Sequence, residues 1–129
     1  MNKDFKKLEK NLGYSFQKKE TLVKALTHVS KSKENNEVFE FLGDSVLNLV
    51  ISQILVEKFS MDDEGTLSLM RSKLVSRTTL NRVAKKLELD SFIITGDSLA
   101  GQETPENILG NALEAIFGAV YKAVSYTHL

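Results

Sequence analysis

Three acidic residues share one side of a long apolar stretch in the first half of the chain. The segment NNEVFEFLGDSVLNLV, residues 35–50, contains Glu37, Glu40 and Asp44 at spacings of three and four. At 100° per residue of a helix, these carboxylates fall within about 60° of one another. Like charges this close disfavour one another's ionised form, and a divalent cation would remove that cost.

A second polar pair interrupts another apolar stretch. In ILGNALEAIFGAVY, residues 108–121, Asn111 and Glu114 stand three apart and project from one side of a helix. Oxygen ligands without cysteine or histidine favour Mg²⁺ or Mn²⁺ over zinc. A di-iron bundle is disfavoured, because it needs Glu-x-x-His and neither His28 nor His128 stands three residues after a glutamate.

The competing explanation is that the acids only favour a helix N-terminus, where negative charge is stabilised. It is adequate for Glu37. It serves Asp44 poorly, because Asp44 lies two turns inside the helix beside Gly43, and both are weak helix formers. Their presence predicts the close approach of another element at this point.

The elements that must position these residues are predicted to be helices. Only one proline occurs, and apolar residues recur at spacings of three and four. We predict helices at 3–12, 19–29, 36–58, 66–88 and 105–122, with SFIIT at 91–95 as a short helix or buried connector and 96–107 as a loop. Eleven of the eighteen residues from 38 to 55 are large and apolar, which predicts a central core helix.

Composition restricts the class of protein. The 129 residues include 17 basic and 17 acidic side chains, so no net charge attracts the chain to nucleic acid or to a membrane surface. Cysteine is absent, which fits a reducing compartment such as the cytoplasm, and no membrane span or signal peptide is predicted. We expect one domain over residues 1–122, truncated at its C-terminal end, and a non-native tail at 123–129.

The acidic segment resembles the signature of the ribonuclease III catalytic domain, commonly written N-E-x-L-E-F-L-G-D-S. ALTHVS at 25–30, DEGTLSLMRSKLVS at 63–76 and ILGNALEAIFGAVY support the resemblance in order along the chain. The resemblance implies an all-α helical bundle that forms a homodimer and cleaves double-stranded RNA with Mg²⁺, for which Mn²⁺ substitutes. Products would carry 5′-phosphate and 3′-hydroxyl ends, substrates would be structured precursor rRNA and mRNA, and no organic cofactor is implied.

The resemblance also assigns roles to acidic residues. Asp44 and Glu114 would be catalytic, and the metal ligands would be Glu40, Asp44, Asn111 and Glu114. Glu37 and Glu64 match outer acidic positions near the scissile strand, although Glu64 would also favour a helix N-terminus.

Other residues have implied contacts. Phe41 resembles an aromatic residue that inserts into a pocket on the partner subunit, with a plain core phenylalanine as the alternative. His28 is expected to make a structural hydrogen bond. The candidate RNA contacts are Asn36, Arg71 and Lys73, with Arg77 and Arg82 further along, against the alternative of a solvated basic face.

The sequence departs from the family pattern in three ways. Asn111 stands where aspartate is usual, so it can ligate Mg²⁺ but brings no charge, and metal affinity should fall. Val38 and Val29 replace basic residues that are common in the family. The double-stranded-RNA-binding domain usual in bacterial members is not seen. Two alternatives therefore stay open: a non-catalytic relative that binds RNA or serves in assembly, and an unrelated helical protein with surface carboxylates.

Overall fold

Helices form nearly all of the regular structure in the computed structural model, which describes residues 4–97 and 105–127. Within these ranges one parallel bridge, between Thr27 and Ile94, is the strand-like contact. The predicted all-α fold is confirmed, and most of the predicted loop at 96–107 lies outside the described residues. The helices are α1 (Phe5–Leu12), α2 (Lys19–Leu26), α3 (Glu37–Lys58), α4 (Glu64–Leu74), α5 (Arg77–Lys86), a 3₁₀ turn (Leu89–Ser91) and α6 (Glu106–Thr127).

The centre of the fold is α6, which packs against α2, α3 and α5. Its apolar side chains are buried almost completely over three turns, as expected of a helix surrounded by others. The buried set comprises Ile108, Leu109, Ala112, Leu113, Ala115, Ile116 and Ala119.

The prediction that α3 is the central helix is wrong for the single chain. Its buried residues are Phe39, Gly43, Leu47 and Leu55. Many of its other apolar side chains are exposed, because the core of this chain covers only one side of the helix. Among the described helices α3 alone is long and apolar enough to cross a membrane, but it carries four carboxylates and packs along α6.

The two long helices cross in close contact at two glycines. A methyl group on Gly43 would overlap the backbone carbonyl of Glu114, and one on Gly118 would overlap that of Phe39. Only glycine permits two helix backbones to approach so closely. The approach predicted from the weak helix formers at Gly43 and Asp44 is therefore made by α6.

A break at Val75 and Ser76 divides the predicted helix at 66–88 into α4 and α5. Ser76 caps α5 by accepting a hydrogen bond from the backbone N–H of Thr79 at 3.2 Å. A serine at such a position satisfies a free amide of the new helix, and this stabilises the change of direction. The break turns α5 towards α6 and places Arg77 in the first turn of α5.

Two predicted helix ends also need correction. The second helix ends at Leu26 rather than 29, because the chain becomes extended at Thr27 and the N–H of His28 donates to the carbonyl of Ile94 at 2.8 Å. The last helix continues to Thr127 rather than ending at 122, and Ala123 is half-buried. The run SFIIT is a buried connector, with Phe92 and Ile93 in the core.

Candidate active site

The crossing of α3 and α6 brings the predicted carboxylates together. Glu40 and Asp44 project from α3, and Glu114 projects from α6 next to the Gly43 contact. All three line one surface depression of about 350 Å³, with Glu37 and Phe41 also on its wall. The arrangement is an open acidic depression floored by the contact between two helices.

The acidic groups of the depression differ in burial and in pKa. Glu114 is only 5% exposed, and burial, together with the carboxyl group of Asp44, raises its pKa to about 7. Burial also raises the pKa of Glu40, and the charges of Glu37 and Asp44 add to the effect. The positive charge of Arg77 opposes both increases. Raised carboxyl pKa values in a depression are characteristic of functional sites.

Arg77 belongs to this site, although the sequence predicted it only as a candidate phosphate contact. Its Nη1 donates a hydrogen bond to the Oδ1 of Asn111 and lies 3.4 Å from Oε1 of Glu114. Among the described residues, no three acidic or histidine side chains are gathered tightly enough to hold a metal ion as they stand. A guanidinium group therefore lies against two of the four predicted ligands.

The remaining predicted acidic residue, Glu64, is not brought to this depression. It begins α4 and lines a different depression of about 310 Å³, with Leu55, Val56 and Arg71 among its other lining residues. Within one chain, the outer acidic positions at Glu37 and Glu64 therefore belong to separate surfaces.

Phe41 is 80% exposed at the edge of the acidic depression, so the alternative of a plain core phenylalanine is wrong. A phenylalanine this exposed gains nothing from the core of its own chain, and its apolar area stays in contact with water. It is available to another surface.

The three candidate RNA contacts differ in burial and in hydrogen bonding. Asn36 is buried, and its side-chain amide donates to the carbonyl of Ala25 at 3.1 Å, so its role is structural and the prediction of an RNA contact is corrected. Arg71 donates to Ser52 at 2.8 Å and is half-buried. Lys73 is exposed on α4 and stays a candidate.

His28 has the structural role that the sequence predicted. Its Nδ1 accepts a hydrogen bond from the backbone N–H of Ser30 at 3.1 Å, and the hydroxyl of Ser30 accepts from the N–H of Gly96. The ring thus stabilises the turn that follows α2 and its contact with the buried connector. It lies outside the acidic depression.

Sequence reasoning missed Gly118 altogether and did not predict that Arg77 belongs to the acidic depression. Arg77 enters the site only because α5 starts afresh at Ser76, and the serine cap was the available signal. Gly118 lies four residues after Glu114 in a strongly apolar helix, where a glycine marks a close backbone contact.

Comparisons with known proteins give a consistent result. A family model described as ribonuclease-III-like matches residues 18–128. Ribonuclease 3 of Francisella tularensis subsp. novicida is 49% identical over 110 residues, covering 85% of this chain and 48% of that protein. Ribonuclease 3 of Francisella philomiragia is 48% identical over 118 residues, covering 92% and 51%. The chain spans about half the length of these curated relatives.

The solved structures extend the comparison to the fold. The nuclease domain of ribonuclease III from Campylobacter jejuni is 41% identical, with a TM-score of 0.89, and the match covers 97% of this chain and 90% of that domain. Dicer from Pichia stipitis is 32% identical, with a TM-score of 0.67, covering 86% of this chain and 49% of that one. The match therefore includes the helical bundle that carries the acidic depression.

Proposed function

Since the chain belongs to the ribonuclease-III-like family, we propose that it is the nuclease domain of an endoribonuclease that cleaves double-stranded RNA. The observation that supports this best is the convergence of Glu40, Asp44 and Glu114 from two helices on one open depression. The products would carry 5′-phosphate and 3′-hydroxyl ends. Its substrates would be structured precursor rRNA and mRNA in the cytoplasm, a compartment that suits a chain without cysteine.

The site would hold a divalent ion through Glu40, Asp44, Asn111 and Glu114. The chemistry of the donor set fits Mg²⁺ or Mn²⁺, since three carboxylates and one amide offer only oxygen. When bound, the ion supplies an activated water and offsets charge on the attacked phosphate. Asp44 and Glu114 would be the catalytic carboxylates, while Glu37, exposed on the same wall, would lie closer to the approaching strand.

Duplex RNA needs positive charge from the protein surface as well as from the ion, because phosphate contacts dominate nucleic-acid affinity. The chain carries no net charge, so local groups must supply these contacts. We assign them to Lys73 and Arg71 on α4. A double-stranded-RNA-binding module in the full-length protein would add further contacts.

A homodimer is part of this proposal, and the exposed side of α3 supports it. Val38, Phe41, Leu49 and Val56 are between 56% and 80% exposed, and at 100° per residue they fall within roughly 80° of one another. Exposed apolar side chains grouped on one side of a helix favour an interaction site. The similar nuclease domain from Campylobacter jejuni has a region involved in dimer formation.

The 310 Å³ depression between α3 and α4 is a suitable receptor for Phe41 of a second copy. Leu55, Val56 and Leu67 provide its apolar wall. Because a twofold interface pairs the same surface on both subunits, insertion would occur twice. It would also bring Glu64, on the rim of the receptor, towards the acidic depression of the other copy.

The deciding experiment is cleavage of a labelled RNA duplex of about two helical turns at low salt, where phosphate contacts are strongest. The purified chain is assayed with Mg²⁺ and with EDTA, beside a Glu114→Gln variant. We expect Mg²⁺-dependent cutting to discrete products, and loss of cutting in the variant. Binding without cutting would instead select the non-catalytic alternative, which the amide at Asn111 and its contact with Arg77 favour.

A further inference from the structure

Arg77 reaches the acidic depression from outside the two helices that build it. It is the first residue of α5, and its side chain extends to α6, where Nη1 contacts Asn111 and Glu114. The side chain lies along Gly110, since a methyl group placed there would be 3.4 Å from both its Cδ and its Nη1. The clash that requires glycine here is with Asn81, whose Oδ1 would lie 2.5 Å from that methyl group, so Arg77 is only in ordinary contact with the helix.

Arg77 also brings the single positive charge among the described residues that line the depression. Its side chain is 49% exposed, whereas that of Glu114 is 6% exposed. A charge held at the protein surface can leave without losing its hydration, but the buried carboxylate it leaves behind must gain another partner. The contact is therefore exchangeable for another cation.

Asn111 makes this exchange easier. An amide oxygen accepts a hydrogen bond from the guanidinium group but contributes no charge to hold it. An aspartate at the same position would form a charge-assisted and stronger pair with Arg77. The two residues that Arg77 contacts, Asn111 and Glu114, are also two of the four residues that would hold a divalent ion.

We propose that Arg77 is a resident counter-cation that occupies the ligands Asn111 and Glu114 in the ion-free protein and must be displaced when a divalent ion binds. The inference rests on the proposed function, since it assumes that these residues are ligands. Arg77 is thus a positioning residue with two opposite effects. It stabilises the ion-free fold, and it raises the ion concentration at which the site fills.

The test is a calorimetric titration of the purified chain with Mn²⁺, comparing wild type with Arg77→Gln. Loss of a competing charged hydrogen bond should lower the Kd for Mn²⁺ by about tenfold. Arg82→Gln is the matched control, because Arg82 is also exposed on α5 but does not line the depression, and its Kd should stay at the wild-type value. Arg77→Lys, which keeps the charge but loses the planar guanidinium, should give an intermediate Kd.

Thermal unfolding supplies a second readout that a merely structural role would not reproduce. In EDTA, Arg77→Gln should melt at a lower temperature than wild type, because the acidic cluster loses its counter-charge. With saturating Mn²⁺ its gain in melting temperature should exceed that of wild type, since binding stabilises the folded state according to affinity. A lower melting temperature in EDTA with an unchanged Kd would overturn the proposal and leave Arg77 with a structural role.

Glu114→Gln separates this inference from the function on which it rests. If wild type binds Mn²⁺ and Glu114→Gln does not, the metal site exists, and an unchanged or weaker affinity in Arg77→Gln rejects the role of Arg77 alone. If neither wild type nor Arg77→Gln binds Mn²⁺ at millimolar concentration, the metal site and the inference both fail.

Discussion

Two buried glutamates in this chain have opposite electrostatic properties. Glu9 is fixed by Lys19 at 2.6 Å and by the backbone N–H of Phe16 at 2.7 Å, and these partners lower its pKa. Glu114 meets other carboxyl groups, and its pKa is raised to about 7. The partners of Glu9 stabilise its ionised form and the fold. The ionised form of Glu114 instead needs a cation to compensate its charge. Only Glu114 has the character of a reactive site.

The contribution of Glu9 to the free energy of unfolding should depend on pH. Glu9→Gln should cost about 1.5–3 kcal/mol near neutral pH, because the charged hydrogen bonds to Lys19 and Phe16 are weakened. The folded pKa lies below the ordinary value of 4.5, so the contribution of Glu9 is complete above that value and disappears as the pH falls through the folded pKa. Urea denaturation of both proteins from pH 7 to about pH 3 should show the difference shrinking on acidification.

Glu34→Gln is the control for this measurement. Glu34 pairs with Lys24 at 3.7 Å, but both side chains are exposed. An exposed pair contributes little, so the substitution should leave the free energy of unfolding nearly unchanged at every pH. An equal loss in both variants, or a constant loss at all pH values in Glu9→Gln, would contradict the role given to Glu9.

Sequence reasoning at the residue scale worked where local spacing decides geometry. Helical spacing alone placed Glu40 and Asp44 on one side of α3, and the structure puts both in one depression. It could not place Arg77, because that side chain reaches the site through a change of chain direction and a contact across 34 residues. It also named Asn36 as a candidate RNA contact, whereas the amide of Asn36 is buried and donates to the carbonyl of Ala25.

At the scale of helices, the decisive contact is the crossing of α3 and α6. Gly43 and Gly118 remove the side chains that would hold the two backbones apart. As a result, Glu40 and Asp44 of α3 and the buried Glu114 of α6 face one depression. The poor helix-forming character of glycine is offset here by packing, which tertiary structure commonly allows.

Adding a methyl group at the crossing should therefore damage the fold. Gly43→Ala would place a Cβ where the backbone carbonyl of Glu114 lies, and overpacking against rigid backbone should cost about 3 kcal/mol or more. Gly65→Ala is the matched control, because a Cβ there would meet only Asp63 Oδ1 at an ordinary 3.6 Å. In the helix α4 that change should be stabilising by about 0.5–1 kcal/mol. Thermal or urea unfolding measures both, and an equal effect of the two substitutions would contradict the packing argument.

The helices could be predicted because their apolar residues recur with a helical period, but their ends and breaks depend on short-range competition that the period does not reveal. Ser76 lies inside a stretch whose apolar residues keep a helical spacing throughout. Its hydroxyl nevertheless accepts the hydrogen bond that caps the N-terminus of α5. Thr27 ends α2 early because the chain there pairs with Ile94, which is 67 positions further along. The sequence after residue 122 shows no further helical face and no cap, which predicts that the last helix ends there, but α6 continues to Thr127.

At the scale of the whole molecule, apolar residues occur on nearly all sides of α3, and this predicts that α3 is the central helix of the fold. One chain covers only part of α3, since 22% of the most apolar window of α3 is buried. Apolar residues on every side of a helix predict that all of its sides are buried. They do not show whether the residues that bury them belong to the same chain or to a second copy. The proposed homodimer would cover the exposed side, and this makes the quaternary structure testable.

Replacing Phe41 by serine should weaken the dimer. Phe41 is 80% exposed in the single chain, so its replacement leaves the core intact. An aromatic residue inserted at an interface typically contributes about 2 kcal/mol or more to binding. Its loss should therefore raise the Kd of the dimer about thirtyfold. Leu49→Ser, on the same side of α3, should act in the same direction. Tyr121→Ser removes an exposed aromatic side chain from α6 and should leave the Kd unchanged. Sedimentation equilibrium over a range of concentrations gives the three constants, and a wild-type chain that stays monomeric throughout would remove both the dimer and the explanation for the open side of α3.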